Sequence, residues 1–131
     1  MNEDEEEPAV YAVRTSNRAA EQIEAEHQRL QQRSGFDAAD AWEDALMDAV
    51  SSLATLPERC PVAPENDLFQ RAKPGQTLRM LLHKQTRGST AWRILFRILS
   101  PNTADPPTVR VLHVLHGSQL PMTRWIIEDD D

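Results

Sequence analysis

Apolar and polar residues alternate in two runs late in the chain, Ala91-Trp92-Arg93-Ile94-Leu95-Phe96-Arg97-Ile98 and Val109-Arg110-Val111-Leu112-His113-Val114-Leu115-His116, and the second run stops at Gly117. A period of two is that of a strand. It places Trp92, Ile94, Phe96 and Ile98 on one side of a sheet, and Arg93 and Arg97 on the other with Leu95 between them. In the second run Val109, Val111, His113 and Leu115 share a side, which leaves Arg110, Leu112, Val114 and His116 opposite. Leu78-Arg79-Met80-Leu81-Leu82-His83-Lys84 reads as a further strand before a turn near Gly88, so the three form a meander. The connection from Ser100 to Thr108 is proline-rich and long for a hairpin.

Earlier in the chain the period lengthens. Val10 to Val13 make a short first strand, and Thr15-Ser16-Asn17 supplies N-caps for a helix whose stripe is Ala19, Ala20, Ile23, His27 and Leu30, ending near Ser34-Gly35. Asp37, with Asp40 three residues on, predicts the cap of a second helix. Its stripe runs through Ala39, Trp42, Ala45, Leu46, Ala49, Val50 and Leu53 and stops before Pro57. The short turn between them makes an antiparallel pair. Pro57, Pro61, Pro64 and Pro74-Gly75 mark Pro57 to Gln76 as an irregular connection. The order strand, two helices, then at least three strands predicts an α+β domain with its helices on one sheet face.

A chain of 131 residues, 40% of them hydrophobic, suits one compact domain with one core. No run reaches the roughly 18 apolar residues of a membrane span, and the opening Asn2-Glu3-Asp4-Glu5-Glu6-Glu7 is the reverse of a basic signal peptide, so a cytoplasmic protein is expected. Residues 1–8 read as a disordered acidic tail, 9–120 as the domain, and 121–131 as a C-terminal tail with an acidic end. The lone Cys60 has no disulfide partner and no second thiolate for zinc. The net charge of −7 hides a division. Residues 8–67 carry 5 basic and 11 acidic side chains, whereas residues 68–125 carry 9 basic side chains and one acid, Asp105. So basic a segment is the footprint expected for phosphate or an acidic protein surface.

The order of these elements resembles the RelE/ParE superfamily of bacterial type II toxin–antitoxin toxins, known also from plasmid stabilization. Four local matches carry the resemblance: the first strand with Arg14-Thr15-Ser16, the segment Leu56-Pro57-Glu58-Arg59-Cys60-Pro61, the aromatic-Arg strand Trp92-Arg93-Ile94-Leu95-Phe96, and Val111-Leu112-His113-Val114-Leu115-His116-Gly117. It implies a helical hairpin packed on one face of a twisted, mainly antiparallel sheet, with the first strand beside the last. It also implies a cognate antitoxin as partner. Two activities occur in such families: ribosome-dependent cleavage of messenger RNA, and inhibition of DNA gyrase without nuclease activity. The expectation set here is an mRNA interferase, an endoribonuclease acting on ribosome-bound mRNA. The alternatives are a ParE-like gyrase inhibitor and a catalytically silent antitoxin-binding member.

If Met80, Leu82, Trp92, Ile94, Phe96, Val109, Val111 and Leu115 face the helices, then Arg79, His83, Arg93, Arg97, Arg110 and His116 converge on the opposite face. One bulge would reverse the assignment for its strand. On this face Arg93, which matches the family's strand arginine, is the expected phosphate clamp. His116 is the candidate acid/base, because an imidazole can both accept and donate a proton. Lys84 and Arg79 complete the candidate catalytic set, and Arg87, His83, Arg97 and Arg110 the candidate RNA or partner contacts. Arg93→Ala is then expected to abolish toxicity without loss of stability. Gly117-Ser118-Gln119-Leu120-Pro121 lacks the tyrosine or further bases that many RelE-like nucleases carry after the last strand. No metal site and no cofactor are expected.

Overall fold

The computed structural model describes residues 10–85, 91–99 and 107–117. The predicted disordered tail (1–8), the turn near Gly88, the candidate Arg87, most of the Ser100–Thr108 connection and the tail 121–131 lie outside the described residues. The chain forms β1 (Ala12–Thr15), α1 (Asn17–Ser34), α2 (Phe36–Ser51), α3 (Asn66–Ala72), β2 (Arg79–His83), β3 (Trp92–Leu99) and β4 (Thr108–His116). The sheet order is β1-β4-β3-β2, with β1 parallel to β4 and the other pairs antiparallel. This is the predicted α+β arrangement with the first strand beside the last.

Helix α1 starts where its cap allows. Ser16 Oγ accepts from the Ala19 amide at 3.0 Å, and the buried hydroxyl donates to the Leu112 carbonyl of β4 at 3.0 Å, pinning the helix start to the sheet. Gly35, at φ 93, turns the chain into α2 and stands as its N-cap without a side-chain bond. Asp37 is thus not the cap; it sits in the first turn of α2, where a carboxylate meets the positive end of the helix dipole. The hairpin lays Ala19, Ile23, Trp42, Leu46 and Val50 over Ile94, Phe96, Val109 and Val111. After α2, Leu56 takes a left-handed conformation at φ 49 before Pro57. Arg59 closes this corner by donating to the carbonyls of Thr55 and Leu56, at 2.7 and 3.2 Å. Tyr11 Oη donates to Glu58 at 2.8 Å from the first strand's side.

Two predictions fail here. The Pro57–Gln76 stretch is not wholly irregular: it holds a 3-10 turn at Pro57–Arg59 and the helix α3. Moreover, α3 covers the sheet face that the sequence analysis left open. Phe69, Ala63 and Leu78 pack there with Leu95, Leu112 and Leu115 in a second core, joined by Met80 and Leu68.

Candidate functional site

Directly paired residues share a sheet face, so the registers decide which candidate residues meet. Arg79 pairs with Phe96, Leu81 with Ile94 and His83 with Trp92, all on the helical-hairpin side. Met80 and Leu82 lie opposite, paired with Leu95 and Arg93. The phase assigned to this strand is therefore reversed. Alternation alone predicts that the apolar residues Met80 and Leu82 face the hairpin. Instead, Met80 joins the second core and Leu82 is exposed.

In β4 a bulge intervenes. Leu95 pairs with His113 but Phe96 pairs with Val111, so Leu112 is an extra residue. Val109 and Val111 face the hairpin as predicted, and beyond the bulge the alternation flips. Val114 falls in the hairpin core, Leu115 in the second core, and His116 pairs with Trp92. The backbone groups around the bulge are met from α1: the Leu112 carbonyl accepts from Ser16 Oγ, and the Val114 amide donates to Gln22 Oε1 at 2.7 Å. The Gln22 side-chain nitrogen also lies 3.4 Å from His113 Nδ1.

The convergence of six basic residues on one face thus does not form. Arg93, Arg97 and Arg110 share the second face, whereas Arg79, His83 and His116 lie on the other. Arg93 is only 7% exposed. Its Nη2 donates to both carboxylate oxygens of Glu65, at 2.6 and 2.8 Å, and its Nε to Met80 Sδ at 3.3 Å. Glu65, at the head of α3, is itself 4% exposed. Arg93 is therefore committed to holding α3 on the sheet.

Arg79 is a structural tie as well, donating to the Cys60 carbonyl at 2.7 Å. Lys84 is exposed just beyond β2. Arg97 and Arg110 stand directly opposite one another, and Arg14 of β1 pairs with Arg110, so three guanidiniums line one row across β1, β4 and β3. Arg97 also donates to the side-chain oxygen of Gln76.

At the other end of the sheet, on the hairpin side, a second row forms across β2, β3 and β4: His83, Trp92 and His116. Trp92 is the edge-on partner of both Trp42 and His116, with ring centroids 5.3 and 5.1 Å apart. Hollows of about 490 and 410 Å³ flank this row, and both are walled by Glu26, Arg29, Trp92 and His116. Two ring nitrogens here, Trp42 Nε1 and His83 Nε2, are buried without a hydrogen-bond partner among the described residues. Burial holds His83 below the ordinary histidine range, which favours the neutral ring. Strand alternation does not point to Glu65 or Gln22 as partners. Pro64-Glu65-Asn66-Asp67 ahead of Leu68-Phe69 is, however, the polar start and apolar continuation of a short helix, and it was the available signal for Glu65.

Among the described residues no helix is long and apolar enough to cross a membrane. No curated protein matches the chain significantly. Among protein families, residues 13–121 match the one described as ParE toxin of type II toxin-antitoxin system, parDE. That match takes in both hairpin helices, β2 to β4 and all of β1 but its first residue, and with the hairpin-on-sheet architecture it establishes that the chain belongs to the ParE toxin family of type II toxin–antitoxin systems.

Proposed function

We propose that this toxin acts by binding its target, as a ParE-like inhibitor of DNA gyrase restrained by its antitoxin, and not by cutting RNA. The observation that carries this reading is the burial of Arg93 against Glu65. Cleavage of RNA through attack of a ribose 2′-hydroxyl needs an acid, a base and a cation within reach of one phosphate. Here the expected clamp is neutralised under α3, and the expected acid/base, His116, stands across the sheet against Trp92. Lys84 does not bring these groups together. A binding toxin needs no such constellation, only a shaped and charged surface.

The arginine row Arg14, Arg110 and Arg97 is the observation that favours the mRNA reading, because it offers a track for backbone phosphates. Parallel assays decide between the two. The purified toxin should inhibit gyrase supercoiling while leaving in-vitro translation and its mRNA intact. Codon-positioned mRNA cuts with normal supercoiling would overturn the proposal. Expression in a bacterial host should arrest growth, and co-expression of the adjacent antitoxin gene should restore it.

A further inference from the structure

We propose that Trp125, Ile126 and Ile127 dock into the groove formed by α1, α2 and the Trp92 end of the sheet, with Glu128 and the three following aspartates against Arg29 and Arg33. The groove is apolar at its base and basic at its rim. Leu30, Trp42 and Trp92 line it, while Arg29 and Arg33 stand on α1 above them. Arg29 holds Glu26 at 2.5 Å, and the exposed Arg33 has no ion pair among the described residues.

The sequence beyond β4 has the matching order, with three large apolar residues followed by four acids. Its point of departure also matches. β4 ends at His116, which walls the groove, and seven residues lie between Gly117 and Trp125, so that the eight steps from one to the other span about 27 Å when extended. So short a tether keeps the local concentration in the millimolar range.

Trp42 lines the groove with only 5% of its surface exposed, and its buried indole N–H has no acceptor among the described residues. Family membership does not account for these residues, because the match ends at residue 121. The inference does not depend on whether the toxin's target is gyrase or mRNA.

The test uses the full chain carrying Asp129→Cys and a nitroxide spin label. Cys60 is buried and its thiol is pushed up by that burial, so it does not compete for the label. The indole N–H signals of Trp42 and Trp92 should lose most of their intensity, and Ile126→Asp in the same chain should restore it. Full intensity in the labelled chain would overturn the proposal, as would a loss that survives Ile126→Asp. Mixing spin-labelled chain with isotope-labelled, spin-free chain gives the last check. Loss of intensity in that mixture would mean that the segment occupies a second copy's groove, which also overturns it.

Discussion

Arg93 shows how the same residue reads differently from sequence and from structure. In the alternation it lies between two core residues and points away from the hairpin, and that much is correct. What the alternation does not show is that α3 brings Glu65 over it. Removing one partner of a buried pair strands the other charge, so Arg93→Ala should cost about 3–5 kcal/mol, read from urea midpoints. Replacing both residues, Arg93→Met with Glu65→Leu, should recover most of that loss. Destabilisation by Arg93→Ala would accordingly explain any loss of toxicity without a catalytic role, contrary to the expectation of an unchanged melting temperature.

His83 yields a prediction in pH. Its folded pKa is depressed by burial, so its contribution to stability is present above the unfolded value, about 6.5, and is lost as pH falls through the lower folded value. Between pH 7.5 and 5 the protein should lose more stability than His83→Gln does, in paired denaturation curves.

The secondary-structure elements divide into those whose neighbours are implied by their own pattern and those whose neighbours are not. Helices α1 and α2 carry single apolar stripes, and the residues predicted for those stripes include the buried Ala19, Ile23, Ala39, Trp42, Leu46 and Val50. Strand β2 has apolar residues on both sides, and its richer side, Met80 and Leu82, was given to the only core the sequence suggested. The second core exists because α3, seven residues long and flanked by prolines, is too short to announce itself by period. The β4 bulge was equally hidden, since its determinants are Ser16 and Gln22, far away in sequence. Gln22→Ala should leave the Val114 amide without its acceptor and cost about 1–3 kcal/mol, with faster hydrogen exchange at that amide as the local readout. Unchanged exchange there would mean that the bulge does not depend on α1.

For the molecule as a whole, the block arrangement of charge matters more than its sum. The three-arginine row begins at Arg14, seven residues after the acidic run Glu3 to Glu7. An acidic run tethered so close should compete with polyanions for the row, most strongly at low salt where screening is weak. Replacing those five acids with their amides should therefore delay elution from heparin. Equal elution of the two proteins would leave the run as a solubilising segment only. The uneven charge and the element order were legible in the sequence, and the family resemblance implied the first strand beside the last. The covering of the second face was not, and that covering separates a catalytic reading from a binding one.

The parallel pairing of β1 with β4 also bears on how the toxin is made. Ser16, which starts α1, bonds to Leu112 across 96 residues of chain, and among the described residues β1 has no other strand beside it. Contacts of such range form late, because the loop between them must close first. On the ribosome the first strand has to wait, without its neighbour, until almost the whole family-matched region has been synthesised. A chain interrupted before Val111 is then not a weakened toxin but an incomplete sheet, and the cell meets the finished activity all at once.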